Sequence, residues 1–225
     1  MESIIELVNV KRSFRVGSET INALKGINLS IERGKLTMLC GPSGSGKTTL
    51  MNIAGALDEP DEGTILFNGK DLTSMSKSEK DALRRNKFAF VFQSVALMSL
   101  MSAYENVEYS LRINKTPYRT RKKRVEECLE MVGLLKRAKH MPGEMSGGEQ
   151  QRIAIARAIA HRPDIIFADE PTAELDSTMG LHVVRLLKKM IEKENLTVVM
   201  TTHDQDIAVL ADVQYRMRDG EIINE

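Results

Sequence analysis

Short apolar runs alternate with longer segments whose apolar residues recur at helical spacing. The clearest runs are Leu36–Cys40, 88–92, Ile165–Ala168 and 197–201, each short enough for one buried strand. The segments that follow most of them repeat every three to four residues, as in amphipathic helices. Strands alternating with helices predict a parallel sheet, in which ligands bind beyond the carboxyl ends of the strands.

Other parts of the chain carry a different, two-residue period. Residues 4–10 and 21–31 alternate apolar and polar side chains, which predicts two antiparallel strands with Phe14 between them. Residues 64–67 form a β-run that ends in Asn68-Gly69, a strong hairpin signal. Residues 76–85 favour a polar helix, and residues 213–221 a terminal strand pair.

The first buried run leads directly into a glycine-rich octet, Gly41 to Thr48 (GPSGSGKT). The octet fits the phosphate-binding pattern G-x-x-x-x-G-K-[ST]. Glycines let backbone N–H groups at a helix N-terminus approach a phosphate without obstruction by Cβ atoms. Lys47 supplies a charge for the β- and γ-phosphates, and the Thr48 hydroxyl can ligate Mg²⁺. Nucleotide binding is therefore the expectation, against the alternative of an ordinary strand-to-helix turn.

Polar side chains also follow the carboxyl ends of the other predicted strands. Gln93 follows the run 88–92, Asp169 and Glu170 follow the next run, and His203 follows the last. A carboxylate beside a phosphate loop can hold Mg²⁺, and a second carboxylate can act as general base on the attacking water.

A second glycine-rich helix start lies at Ser146-Gly147-Gly148-Glu149. Ser-x-x-Glu is a capping box, so helix initiation alone explains the outer two residues. The two adjacent glycines bare a second set of N–H groups, which suits another anion.

Composition narrows the class of protein. The 225 residues have a formal net charge of +1 and no tryptophan, which argues against nucleic acid as the partner. No apolar run reaches the roughly 20 residues of a membrane span, and the N-terminus lacks a signal-peptide pattern. Cys40 and Cys128 form neither a disulfide framework nor a zinc pattern. We expect a cytoplasmic, reduced protein.

Five elements occur in the order found in the nucleotide-binding subunit of ATP-binding-cassette (ABC) transporters: the phosphate loop, Gln93, SGGE, Asp169-Glu170 and His203. The whole chain resembles that subunit. Within that family it is most similar to the macrolide-exporter and lipoprotein-releasing (MacB- and LolD-like) branch. The residues that suggest this branch are Pro42-Ser43-Gly44-Ser45-Gly46-Lys47-Thr48-Thr49-Leu50, Phe90-Val91-Phe92-Gln93, Glu105-Asn106-Val107 and Ala168-Asp169-Glu170-Pro171-Thr172.

The resemblance implies an α/β fold: a P-loop NTPase core with a mixed, mainly parallel sheet, an antiparallel β subdomain and an inserted α-helical subdomain. The whole chain, 1–225, would be one nucleotide-binding domain. Residues of about 1–93 and 163–225 would form the catalytic lobe and about 94–162 the helical subdomain.

The resemblance also assigns roles to single residues. Glu170 would be the general base, Gln93 a sensor that contacts Mg²⁺ and the water, and His203 the switch that reaches the γ-phosphate. Mg²⁺ would be held by Thr48, Gln93 and Asp169. The residues implied to bind ATP are Phe14 against adenine, Gly41, Pro42, Ser43, Gly44, Ser45, Gly46, Lys47, Thr48 and Thr49, and, across a dimer interface, Ser146, Gly147, Gly148, Glu149 and Asp176.

The implied partners are a second copy of the chain, in a head-to-tail dimer that sandwiches two ATP molecules, and a membrane permease. The permease would contact the segment from Ser94 to Tyr104, here called the 94–104 segment; the residues alone leave packing in the core as an equal alternative. A periplasmic or extracellular adaptor would be reached through the permease. The expected location is the inner face of the cell membrane, as a peripheral subunit.

Some features depart from the family pattern or stay open. Met145 and Glu149 stand where Leu and Gln are frequent, Glu174 replaces a small or amide residue, and the 94–104 segment lacks a proline. The basic run from Arg119 to Arg124 is expected to be a solvated helix face, with lipid headgroups and DNA as alternatives. The rival function is a regulatory ATPase that controls a cell-wall hydrolase through a membrane protein without transport.

Overall fold

The computed structural model describes residues 2–223, so positions 1, 224 and 225 of the predicted domain lie outside the described residues. The elements, in chain order, are β1 (Ser3–Val16), β2 (Glu19–Glu32), β3 (Leu36–Cys40), α1 (Lys47–Ala54), β4 (Glu62–Phe67), β5 (Lys70–Asp71), α2 (Lys77–Asn86), β6 (Phe88–Val91), α3 (Ala103–Ile113), α4 (Tyr118–Met131), α5 (Gly147–Ile159), β7 (Ile165–Ala168), α6 (Ser177–Glu194), β8 (Thr197–Thr202), α7 (Gln205–Ala208), β9 (Val213–Arg218) and β10 (Glu221–Ile223). Contacts cluster into two compact units, residues up to 84 together with 197 onward, and residues 85–196.

The first unit contains two groups of strands. One is an antiparallel sheet in the order β2-β1-β4-β5, in which the predicted Asn68-Gly69 turn joins β4 to β5. In the other, β3 pairs in parallel with both β8 and β9, and β10 returns antiparallel along β9. Because β3 is buried on both faces, its apolar run is continuous rather than alternating.

The second unit is mainly helical. Strands β6 and β7 pair in parallel, from Phe88 opposite Ile165 to Val91 opposite Ala168. Four α-helices, α3 to α6, lie wholly in this unit. Among residues 2–223, no helix is long and apolar enough to cross a membrane.

The predicted elements are present, with three local differences. Phe14 lies inside β1, because β1 runs on to Val16 and stays paired with β2 as far as Glu19. The apolar residues after the phosphate loop predict a helix that reaches Leu57, but the helix ends at Ala54 and Leu57 is 44% exposed. The short helix α7 was not predicted; it is capped by Asp204 and is too brief to show a period.

Candidate functional site

The phosphate loop joins the end of β3 to the start of α1, as predicted. Gly46 is the N-cap of α1 with φ of 99° and, as a glycine, brings no capping side chain of its own. A helix N-terminus that follows a glycine-rich loop directs its backbone N–H groups toward the loop, which favours a bound anion.

Two of the loop glycines are required by close approach of other backbone. A Cβ on Gly46 would lie 2.6 Å from the carbonyl oxygen of Ala23, and one on Gly41 would collide with that of Met217. Gly44 is different, since a Cβ there would meet nothing within 4 Å and only its φ of 78° calls for glycine. The loop path is thus fixed by β2 and β9.

Two side chains of the loop turn inward. Lys47, 5% exposed, donates from Nζ to the carbonyl oxygens of Gly41 and Pro42 at 2.8 and 2.9 Å. These hydrogen bonds hold the ammonium against the backbone of the loop. The buried Ser45 hydroxyl has no hydrogen-bond partner among residues 2–223. An orphaned hydroxyl beneath a glycine-lined loop fits a site built for phosphate oxygens.

His203 lies beside the loop in the first unit. It follows β8 directly, and it lines a cavity of about 380 Å³ together with Gly41 and Pro42. Parallel pairing of β3 with β8, Cys40 opposite Thr202, brings these two strand ends to the same edge. The structure therefore brings the predicted switch histidine and the predicted phosphate loop together.

Phe14 reaches the same neighbourhood through β2. It pairs with Ile21, two residues before Ala23, whose carbonyl oxygen packs against Gly46. Two strand residues span about 7 Å, so the ring lies within a nucleotide's length of the phosphate loop. At 39% exposure the ring is available for stacking on a base.

The second unit holds the predicted carboxylates and Gln93. Asp169 donates its backbone N–H to Val91 of β6 at 2.8 Å, which fixes the residue directly after β7. Glu170 has φ of 43°, a left-handed conformation that is costly for a glutamate. Its carbonyl oxygen accepts the Ala173 N–H at 3.1 Å in the following turn. Gln93, two residues after β6, is exposed.

The SGGE sequence forms the predicted capping box at the start of α5. The Ser146 hydroxyl accepts the Glu149 N–H at 3.3 Å, and the Glu149 carboxylate accepts the Ser146 N–H at 2.9 Å. This backbone hydrogen bond lowers the pKa of Glu149, and Arg137, 3.4 Å away, lowers it further. Glu149 is therefore ionised at neutral pH. Gly147 is exposed at the tip of the helix.

The helix start at Gly148 packs against the start of α6. A Cβ on Gly148 would lie 2.8 Å from Cε of Met179, the residue whose N–H the Asp176 side chain caps at 3.0 Å. Asp176, Ser146 and Gly147 are all exposed. The two N-termini thus lie side by side in this unit, as an interface with a second copy would require.

Sequence reasoning missed the residues that shape the 94–104 segment. Fully buried Asn106 accepts the Met98 N–H at 2.9 Å and donates to the carbonyl oxygens of Met98, Met101 and Ser102. Arg157 of α5 binds two further carbonyl oxygens of the segment. These hydrogen bonds hold the backbone of the 94–104 segment and leave the Leu100 side chain 91% exposed. This exposure argues against the alternative that the segment packs in the core. The signal in the sequence is an asparagine directly after the Ser102–Glu105 capping box.

Comparisons with known proteins agree with this geometry. The ABC transporter family profile matches residues 24–173. An ABC transporter ATP-binding protein of Methanocaldococcus jannaschii, MJ1508, is 44% identical over 98% of both chains. The solved dimeric, post-hydrolysis structure of the ATP-binding cassette MJ0796, of the same organism, bound to ADP and Pi, has a TM-score of 0.89 at 42% identity. It covers 98% of this chain and 97% of that one.

The macrolide export ATP-binding/permease protein MacB of Marinobacter nauticus is also 44% identical, over 99% of this chain. The chain spans only 34% of that relative's length. The fold class and the resemblance predicted from sequence are confirmed by these matches. The chain belongs to the ABC transporter family and is an ATP-binding cassette ATPase.

Proposed function

We propose that this chain is the ATP-hydrolysing subunit that powers a separate membrane permease of the exporter branch. The observation that carries the proposal is the phosphate loop, whose glycines lie against β2 and β9 and whose lysine turns over the loop. Similarity to MacB, which is named as a macrolide exporter, supports the branch. The chain would act at the inner face of the cell membrane, and an adaptor would be reached through the permease.

The candidate site residues have separate roles in binding and hydrolysing ATP. Lys47 and the first-turn amides of α1 bind the phosphates, and Phe14 stacks on the base. Glu170 accepts a proton from the attacking water, with its left-handed backbone setting the direction of its side chain. His203 contacts the terminal phosphate from the end of β8. We keep the proposed subdivision of the chain into a catalytic lobe, residues 1–93 and 163–225, and a helical subdomain, residues 94–162.

Mg²⁺ fits the oxygen donors that this chain offers. Thr48 supplies a hydroxyl, Gln93 an amide oxygen and Asp169 a carboxylate, all hard ligands of the kind this ion prefers. No cluster of three His, Cys, Asp or Glu side chains that could hold a metal occurs among residues 2–223. A site completed by phosphate oxygens and water agrees with that composition, because Mg²⁺ is usually held by few protein ligands. When bound, the ion neutralises charge between the β- and γ-phosphates.

A second copy would complete each site. Ser146 and Gly147 form an exposed helix start, whose N–H groups can bind a phosphate held by another protomer. The solved MJ0796 cassette with ADP and Pi is dimeric, which supports the same arrangement here. The 94–104 segment, with Leu100 exposed and Phe92 exposed just before it, would bind the permease.

The substitution Glu170→Gln tests the catalytic assignment. We expect it to leave ATP binding intact, to lower ATPase activity by at least about a hundredfold, and to give an ATP-dependent dimer in light scattering. Glu174→Gln, an exposed acid in the same loop, is the matched control and should keep normal turnover. Normal turnover in Glu170→Gln would refute the assignment, and failure of the wild type to bind ATP would refute the function itself.

A further inference from the structure

The ring of Phe14 is covered on one face by a cation of its own strand. The guanidinium carbon of Arg12 lies 4.8 Å from the centroid of the Phe14 ring, within the distance of a cation–π contact. Arg12 and Phe14 are two residues apart in β1, and this contact brings their side chains together across an irregularity in the β1–β2 pairing at Arg12 and Ser13.

Two aspartates from the turn after α1 hold this guanidinium in place. The two terminal nitrogens of Arg12 donate separately, to Asp61 Oδ1 and to Asp58 Oδ1, each at 2.9 Å. The remaining Nε is buried and has no hydrogen-bond partner among residues 2–223. The forked pair of ion contacts therefore sets the orientation of the guanidinium.

Asp61 also ties the backbone of the strand to this arrangement. Its Oδ2 accepts the Ser13 N–H at 2.6 Å and the Ser13 hydroxyl at 2.7 Å. These hydrogen bonds from Ser13, with a smaller contribution from Arg12, lower the pKa of Asp61, so the carboxylate stays charged well below neutral pH. The residue between Arg12 and Phe14 is thus fixed as well.

We propose that Arg12 is a positioning residue for the base of the bound nucleotide: held by Asp58 and Asp61, it covers one face of the Phe14 ring and presents the other face to adenine. The proposal rests on the proposed function, in which Phe14 stacks on the base. A cation behind the ring draws π density away from the open face, and an immobilised ring loses less rotamer freedom when the base binds.

The location of Arg12 agrees with this role. Arg12 pairs with Leu24, whose side chain lies 3.2 Å from the place where a Cβ on Gly46 would be. One strand pair therefore connects the cation, the ring and the phosphate loop. Lysine could supply the charge at this position, but it lacks the planar fork that contacts two carboxylates at once.

The test compares a ligand that has a base with one that lacks it. Calorimetric Kd values for ADP and for pyrophosphate are measured on the full chain for the wild type, Arg12→Ala, Arg12→Lys and Phe14→Ala. We expect Arg12→Ala to weaken ADP binding about threefold to tenfold and to leave pyrophosphate binding unchanged, as a cation–π contact implies. Arg12→Lys should fall between Arg12→Ala and the wild type.

Lys11→Ala is the matched control. Lys11 is the adjacent cation of β1, and it pairs with Glu62 at 2.7 Å. We expect it to change neither Kd. Equal weakening of ADP and pyrophosphate in both Arg12 variants would show a merely structural role and overturn the proposal.

Two further results would also overturn the proposal, and they separate it from the proposed function. If Phe14→Ala weakens ADP binding and neither Arg12 variant does, the positioning role is wrong while the stacking role holds. If Phe14→Ala leaves ADP binding unchanged, Phe14 does not contact the base and Arg12 has nothing to position. In both cases ADP binding by the wild type still supports the nucleotide site.

Discussion

Arg157 of α5 donates a hydrogen bond to the carbonyl oxygen of Ala96 at 2.7 Å, and its second terminal nitrogen lies 3.3 Å from the carbonyl oxygen of Val95. Helix α5, which begins at the SGGE sequence, is therefore hydrogen-bonded to the 94–104 segment, which is proposed to bind the permease. A displacement of α5 would be transmitted directly to the backbone of residues 95 and 96. Ala96 has φ of 47°, so this backbone is already held in an uncommon conformation.

We expect Arg157→Ala to loosen the 94–104 segment without unfolding the second unit. Hydrogen bonds from a charged donor contribute roughly 1.5–3 kcal/mol, so local opening should become at least about tenfold more frequent. Amide hydrogen exchange of peptides from the segment measures this directly. Arg185→Ala, an exposed cation on α6, is the control and should leave the exchange unchanged. Unchanged protection in Arg157→Ala would mean that Asn106 alone holds the segment.

Asn106 is the second residue that holds this segment, from within the core. Its amide serves one N–H and three carbonyl oxygens; in Asn106→Ala the carbonyl oxygens of Met98 and Ser102 keep backbone donors, whereas the Met98 N–H and the Met101 carbonyl oxygen lose this partner. Because each buried polar group left unsatisfied costs about 1–3 kcal/mol, we expect the free energy of unfolding to fall by about 2–4 kcal/mol. Urea denaturation checks this value.

Asn114→Ala provides the comparison for that measurement. Asn114, the C-cap of α3, also donates to a backbone carbonyl, that of Arg85 at 2.9 Å, but its hydrogen bonds are exposed. Water can replace them, so we expect a loss below about 1 kcal/mol. Equal losses in the two variants would contradict the role given to burial.

Glu149 places a negative charge where the second protomer's phosphate is proposed to bind, and Arg137 compensates it at 3.4 Å. We expect Arg137→Ala to weaken ATP-dependent dimerisation about threefold to tenfold, since exposed ion pairs contribute up to about 1 kcal/mol at each of two sites. In the Glu149→Gln background the loss should disappear, because glutamine completes the capping box without a charge. Sedimentation in the presence of ATP measures the dissociation constant of the dimer. If Arg137→Ala still weakens dimerisation in the Glu149→Gln background, Arg137 does not act by compensating the charge of Glu149.

The strand ends could be predicted from sequence because their signals are local. Asp169 follows four consecutive apolar residues, and the SGGE capping box lies within four positions. The contacts of Arg157 with Ala96, and of Arg12 with Asp58, join residues 61 and 46 positions apart, and no local period records such pairings. The sequence predicts Phe14 between two strands, but pairing with β2 extends β1 through this residue, a contact that its polar neighbours do not indicate.

His161 makes the second unit sensitive to acid. Burial lowers the pKa of this histidine below its usual 6.5, although Nε2 lies 3.1 Å from the carbonyl oxygen of Phe88, and nearby Arg124 lowers it further. Above pH 6.5 the side chain is neutral in both folded and unfolded chains. Below that pH the unfolded chain binds a proton first, so the free energy of unfolding falls as the pH drops toward the lower folded pKa.

We expect this residue to contribute a slope of up to about 1.4 kcal/mol per pH unit below pH 6.5. Urea denaturation between pH 5 and 8 measures the slope, and His161→Gln, which keeps a donor for Phe88, should reduce it. His182→Gln, at an exposed histidine of α6, should leave the slope as in the wild type. If His161→Gln and the wild type lose stability in parallel as the pH falls, acid sensitivity has its origin in other groups.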